Sequence, residues 1–336
     1  MRIFRRTMLA ALAAGILAFL VVPLVVPFNS SGTLTNTEAA GKTGEFVSVG
    51  EYDIFVRKTA YSNQLNKALG DESVDSSDHP VIFLLHGFGA STFSWRDVMT
   101  NLSVAGDVVA YDRPAFGFSD RPTKWAGINP YGLQGNMEIL KALMKIYAED
   151  REVVLVGHSA GGLLAGEFAR QNPQLVDKLV LVAPAVFSTG ETPWLSYFKN
   201  IPQIDALGPF LVQGIASSGN ELLEESYYNK DQLTDFVSEG YRAPLKIYGW
   251  ERAFWEYTNA PRANDFLKNI SSLNQPTLLI TGEFDTVVPT KDTKKLAGLI
   301  IDNDLVIIEK TAHLPQEENP EAFSKAVIDW LRASNS

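Results

Sequence analysis

Ser159 lies between two glycines in Gly157-His158-Ser159-Ala160-Gly161, after the apolar run Val153-Val154-Leu155-Val156 and before a stretch rich in small residues. At a strand-to-helix turn of this kind a serine can be forced into a strained backbone conformation that exposes its hydroxyl at the sheet edge. The flanking glycines let neighbouring backbone approach where a Cβ would clash. A serine hydroxyl is a weak nucleophile until an adjacent base takes its proton. Four histidines are available. His79 ends a polar stretch, His158 adjoins the serine with its ring expected to point elsewhere, and His86 closes an apolar run as a turn-bracing residue. His313 follows the run Leu305 to Ile308 in Thr311-Ala312-His313-Leu314-Pro315 and is the candidate general base.

Such a base needs a carboxylate that holds its tautomer and stabilises the imidazolium. Asp285 follows the run Thr277 to Ile280 in Gly282-Glu283-Phe284-Asp285 and is the candidate, with Glu283 its rival in the same loop. Developing negative charge on a substrate oxygen calls for two fixed backbone N–H donors. Ala160, at the start of the helix after the serine, supplies one candidate, favoured by the helix dipole. Phe88, in His86-Gly87-Phe88-Gly89, supplies the other.

Distant residues of this kind meet only if the chain folds them to one edge. Val81 to Leu85, Val108 to Tyr111, Val153 to Val156 and Leu179 to Val182 read as buried strands, with helix-length segments near 94–103, 131–148 and 160–171. The rhythm resumes after residue 276 with Thr277 to Ile280, a helix near 290–301, Leu305 to Ile308 and an amphipathic helix at 320–333. Phe46 to Val49 and Tyr52 to Val56 alternate around Gly50 as in a hairpin, and 61–79 reads as an exposed loop. Alternating strands and helices predict an α/β fold with a mostly parallel sheet covered on both faces. In such a sheet the loops after the strands gather at the carboxyl edge, where ligands bind. Residues 185–275 break the pattern: they carry aromatics such as Trp194, Tyr197, Phe198, Trp250 and Trp255, several prolines and no strand run, and predict a mainly helical insertion. The division expected is 1–28, a flexible tether 29–44, a core of 45–184 and 276–336, and the insertion 185–275.

Composition narrows the function. The 336 residues are 46% hydrophobic and 20% charged, with a formal net charge of −10 and no cysteine. An acidic surface disfavours nucleic acid and anionic lipid headgroups. The lack of cysteine removes disulfides, thiolate metal sites and cysteine nucleophiles. Arg2, Arg5 and Arg6 precede the uncharged run Thr7 to Phe28, long enough as a helix to cross ~30 Å of hydrocarbon. The expectation is an uncleaved membrane anchor with the large domain extracytoplasmic, the alternatives being secretion after signal cleavage or an organellar transit peptide.

From about Phe46 to Arg332 the chain resembles the α/β-hydrolase superfamily. The resemblance rests on Leu85-His86-Gly87-Phe88-Gly89, Tyr111-Asp112-Arg113-Pro114-Ala115-Phe116-Gly117-Phe118-Ser119, Gly157-His158-Ser159-Ala160-Gly161-Gly162, Gly282-Glu283-Phe284-Asp285 and His313. It implies an eight-stranded sheet, a lid inserted after the sixth strand, and no cofactor or metal. It also implies a nucleophile at Ser159, an acid at Asp285, a base at His313 and oxyanion donors at Phe88 and Ala160. The pattern departs at Ala115, where related sequences usually have glycine.

Serine at the elbow, where dehalogenases and epoxide hydrolases of this fold carry aspartate, directs the chemistry toward acyl transfer to water. Hydrolysis of a carboxylic ester of an apolar small molecule or lipid is the leading expectation, since aromatics in the insertion suit an apolar pocket. Carbon–carbon bond hydrolysis, lactonase, perhydrolase and iminopeptidase activities remain alternatives, as do an acyltransferase and a catalytically silent binding protein. Substrate-binding residues and oligomeric state are unspecified by sequence.

Overall fold

The computed structural model of the protein describes residues 2–26, 28–68, 79–187 and 201–334. Eight strands form one sheet in the order β1-β2-β4-β3-β5-β6-β7-β8. β1 (Glu45–Val49) and β2 (Tyr52–Thr59) make the expected hairpin, Gly50 turning it with φ +60°. β2 also runs antiparallel to β4 (Asp107–Tyr111). The other neighbours pair in parallel: β3 (Val81–Leu85), β4, β5 (Val153–His158), β6 (Lys178–Val182), β7 (Thr277–Gly282) and β8 (Asn303–Ile308).

The central strands are buried on both faces, which explains their unbroken apolar runs. In β3, Val81, Phe83 and Leu85 face one core with Leu140, Leu143 and Phe168, while Ile82 and Leu84 face a second with Trp95, Leu102 and Phe323. Twelve helices are described, counting short ones. Those flanking the sheet are α4 (Met99–Leu102), α5 (Leu133–Tyr147), α6 (Ala160–Gln171), α10 (Thr290–Ala297) and α12 (Pro320–Ala333), with α11 (Pro315–Glu318) just before the last. The segment expected as one helix near 94–103 is instead a 3₁₀ turn, Thr92–Trp95, followed by the one-turn α4. The loop expected at 61–79 contains α3 (Asn63–Ala68), and residues 69–78 lie outside the described residues.

Between β6 and β7 the described chain is helical: α7 (Pro202–Glu225), α8 (Asp235–Arg242) and α9 (Trp250–Asn259). Trp194, Tyr197 and Phe198 lie outside the described residues. α7 and α9 are locked by Trp255, whose indole Nε1 donates to Asp205 at 2.9 Å, and by Arg252, which pairs with Asp205 at 3.0 Å.

The stretch 29–44 differs from the flexible tether expected. Leu34 forms a parallel bridge to Ile247, the Thr33 and Leu34 amides both reach the Lys246 carbonyl at 2.9 Å, and the Tyr248 amide returns to the Leu34 carbonyl at 2.9 Å. α2 (Asn36–Ala40) begins with a capping box between Thr35 and Glu38. The serines and threonines that read as linker composition are caps and donors. Upstream, α1 (Arg2–Val25) packs on α7, where the Gln203 amide donates to the Leu20 carbonyl at 3.2 Å and the Phe28 and Phe210 rings meet edge to face at 4.6 Å. Among the described residues no helix is long and apolar enough to cross a membrane, so the span expected over the N-terminal segment has no support in the fold.

Candidate active site

Ser159 caps α6 directly after β5, with φ 53° and ψ −118°, a left-handed conformation that a serine adopts only under constraint. Its own amide donates to the Val182 carbonyl at 2.9 Å, and the amides of Gly162 and Ala185 return to its carbonyl at 2.9 and 3.1 Å. The neighbouring glycines are there for space. A Cβ on Gly157 would lie 2.4 Å from the Gly161 carbonyl oxygen, and one on Gly161 would lie 2.3 Å from that of Leu85.

His313 and Asp285 come from the loops after β8 and β7. His313 Nδ1 bonds Asp285 Oδ2 at 2.8 Å, and both side chains are buried. The other carboxylate oxygen accepts the Val287 and Val288 amides, each at 2.9 Å, which fixes the plane of the carboxylate. The rival Glu283 is exposed and accepts from the Lys310 amide at 3.2 Å. Ser159 and His313 line one cavity of about 360 Å³.

The turn after β3 carries Phe88 against the elbow. A Cβ on Gly87 would sit 3.2 Å from the Ser159 Cβ, so this turn can approach the serine only as glycine. His86 braces it: its Nδ1–H donates to the Gly87 carbonyl at 2.8 Å and its Nε2 accepts the Arg113 amide at 3.0 Å. Burial, reinforced by the nearby Arg113 charge, holds this imidazole well below its usual value and therefore neutral. The Arg113 guanidinium adds bonds to the His86 and Gly87 carbonyls, both at 3.0 Å. Ala160 is the first residue of α6, where a helix leaves its amide without an intrahelical acceptor. Ala115 has φ 76°, a left-handed position where glycine would be unstrained, and it too lines the cavity.

Two residues to which sequence reasoning gave no such role, His158 and Glu318, hold the histidine loop. His158 Nε2 bonds the His313 carbonyl at 2.8 Å, contrary to the expectation that this ring points elsewhere. Glu318 accepts the Ala312 amide through one oxygen at 2.7 Å and the Tyr228 amide through the other at 2.6 Å. Burial pushes its carboxyl up against the opposing pull of these bonds. Next to it, Glu317 gathers the Tyr227 hydroxyl at 2.8 Å, Ser94 Oγ at 2.8 Å, Arg96 at 2.6 Å and the Tyr241 hydroxyl, so one buried carboxylate joins insertion to core. Tandem glutamates in a short polar segment give no local sign of this; only the buried partners reveal it.

The cavity wall is mostly apolar, with Phe88, Phe116, Trp250, Phe254 and Leu223 among its residues. Among the described residues, no group of three or more histidines or acids is placed to hold a metal ion.

The fold and this edge of the sheet are those of the alpha/beta hydrolase fold family, and the chain belongs to it, matching over residues 80–320. It is 29% identical over 267 residues to the 2-hydroxy-6-oxo-2,4-heptadienoate hydrolase of Pseudomonas putida, covering 76% of this chain and 90% of that protein. It is 24% identical to the monoacylglycerol lipase abhd6-A of Xenopus laevis, covering 76% of each chain. Among solved structures it is similar to a bacterial membrane phospholipase A, with a TM-score of 0.60, 21% identity and 99% coverage of both chains.

Proposed function

We propose that the protein is a serine hydrolase that cleaves a carboxylic ester of an apolar small molecule or lipid through an acyl-enzyme. The observation that carries this reading is the strained Ser159 sharing one apolar cavity with the Asp285-bound His313. Asp285 holds the His313 Nδ1 proton, leaving Nε2 free as the general base. His313 takes the Ser159 proton as Oγ attacks the ester carbonyl, and the Phe88 and Ala160 amides receive the oxyanion. His313 then protonates the leaving alcohol, and water repeats the cycle to release the acid.

Carbon–carbon bond hydrolysis is a second reading, favoured by similarity to the heptadienoate hydrolase. The test compares wild type with Ser159→Ala on short p-nitrophenyl esters. Wild type is expected to turn them over and the variant to lose at least ~10³-fold in kcat. Equal rates in the two proteins would overturn the serine mechanism, and a wild type active only on a vinylogous diketone acid would move the assignment to the second reading.

The apolar surface of α1 supports attachment to a membrane with the catalytic domain extracytoplasmic. Phe4, Met8, Leu12, Leu17, Val21 and Val25 are all exposed, and arginines lie at the N-terminal end. A reporter fused after residue 336 should be active only on the far side of the membrane; cytoplasmic activity would overturn this placement.

A further inference from the structure

The cavity that holds Ser159 is lined by two arginines, Arg121 and Arg242, and by no aspartate or glutamate among the described residues. That is unexpected in a chain of net charge −10. Arg121 follows the β4 loop, and among the described residues its guanidinium donates only to carbonyls: Ser119 at 3.0 Å, Gly117 at 2.6 Å and, at 3.5 Å, Pro244. Among the described residues its Nε is buried without a partner. The acids near it are already engaged. Asp120 accepts the Asp53 amide at 2.8 Å and the Asn36 amide group at 3.2 Å, while Asp112 accepts the Thr92 and Phe118 amides at 2.6 and 2.7 Å. Burial lowers the Arg121 pKa to about 10, so the group stays charged at neutral pH but is poorly solvated.

Arg242 ends α8, two residues before Pro244, so the two guanidinium-bearing residues flank the same wall of the cavity. Its Nε donates to Asn220 at 3.3 Å. The neighbouring Glu239 pairs directly with Lys246 at 2.9 Å and feels the Arg242 charge only at longer range, so among the described residues Arg121 is the cation of the pair without an acid in contact. A desolvated cation lining an apolar cavity favours a ligand that brings the missing negative charge, and guanidinium suits the planar oxygens of carboxylate and phosphate.

Resting on the ester-hydrolase reading, we propose that the natural substrate carries an anionic oxygen group, remote from the scissile carbonyl, that is bound between Arg121 and Arg242. The apolar wall takes the chain and the arginines take its charged end.

The experiment uses two p-nitrophenyl esters of equal acyl length, the hexanoate and the mono-adipate, which differ only by a terminal carboxylate. Wild type is expected to cleave the adipate ester with kcat/KM at least equal to that of the hexanoate. A cavity with no cation for it would reject the charged chain by about 100-fold. Arg242→Gln, on the surface end of α8, should lower the adipate-to-hexanoate ratio about ten-fold, chiefly through KM. Arg121→Gln should do the same, and because it also frees loop carbonyls, Arg242→Gln is the decisive variant. Octanoate and octyl phosphate, tried as inhibitors against octanol, separate the sources of charge by which anion competes better. An adipate ester rejected by wild type, with neither anion competing better than octanol, overturns the proposal while leaving hexanoate cleavage, and so the ester reading, intact. Loss of both esters would instead count against the ester reading itself.

Discussion

His158 Nε2 donates to the carbonyl oxygen of His313 at 2.8 Å, across the gap between the β5 elbow and the loop after β8. The two rings lie 4.7 Å apart. A carbonyl can only accept, so Nε2 carries the proton and the ring is fixed in that tautomer. The residue beside the serine thus sets the height of the loop that carries the histidine. A second bond from the other side, from the His313 amide to the Ser226 carbonyl at 3.0 Å, places the same loop against the helical insertion.

His158 and His86 make stability sensitive to mild acid. Burial holds both imidazoles well below their usual value, His86 also feeling Arg113 and His158 feeling His313. Depressed folded-state pKa values mean that the unfolded chain takes up protons first as pH falls. The stabilisation is therefore full above the unfolded value of about 6.5 and declines below it, by about 1.4 kcal/mol per pH unit for each histidine. Thermal unfolding from pH 7.5 to 5.5 should show a falling Tm, and His158→Gln should flatten the slope. A slope identical in wild type and variant would remove His158 from the account. In the same variant kcat should change little, because the glutamine amide occupies the Nε2 position and can still donate to the His313 carbonyl, whereas His158→Leu should lower kcat about ten-fold.

Asp285 and Glu283 share a loop, yet only Asp285 reaches His313. Asp285→Asn should keep the fold, since the Val287 and Val288 amides can still find the side-chain oxygen. It should lower turnover by as much as ~10⁴-fold, because the amide favours the wrong imidazole tautomer. Glu283→Gln should change kcat less than two-fold. A steady-state assay in which Glu283→Gln is the weaker enzyme would reverse the two roles.

Much of the candidate site was legible because its parts sit in short strings with strong local constraints. A serine between glycines after a buried strand, and an acid and a histidine just after two later strands, can be read from pattern alone, since a parallel sheet delivers all such loops to one edge. The central strand runs were legible because β3, β5, β6 and β7 are buried on both faces, while the half-exposed edge strands β1 and β8 show in their shorter alternating or apolar runs. What pattern missed are the contacts that depend on tertiary partners. Glu317 and Glu318 look like solvated helix residues until Tyr227, Arg96 and the Ala312 amide surround them. The 29–44 stretch has linker composition, and nothing local shows that Leu34 will pair with Ile247. The one-turn α4 was overestimated because its apolar residues Met99 and Leu102, with Val98 just before it, pack into the core regardless of helix length.

Glu251 is the knot that ties the N-terminal stretch to the insertion, and its ionisation controls that knot. The buried carboxylate accepts Ser30 Oγ at 2.6 Å, the Ser31 amide at 2.7 Å, Ser31 Oγ at 2.6 Å and the Gln213 side chain at 3.2 Å. Trp250, beside it in sequence and part of the cavity wall, donates its indole N–H to Ser31 Oγ at 3.0 Å. Burial alone would raise the Glu251 pKa, but the bonds from Ser30 and Ser31 outweigh it and hold the group below the usual carboxylate range. This stabilisation is therefore present above the unfolded value of about 4.5 and disappears as pH falls through the lower folded value. Glu251→Gln keeps one acceptor oxygen and replaces the other with a donor that faces serine hydroxyls, so it should cost about 2 kcal/mol at pH 7 and less at pH 3. The variant should also change ester KM more than kcat, because the strap reaches the cavity through Trp250 and leaves Ser159 and His313 in place. Chemical denaturation at the two pH values checks the first expectation, and an equal loss of stability at both would show that the carboxylate charge does not hold the strap.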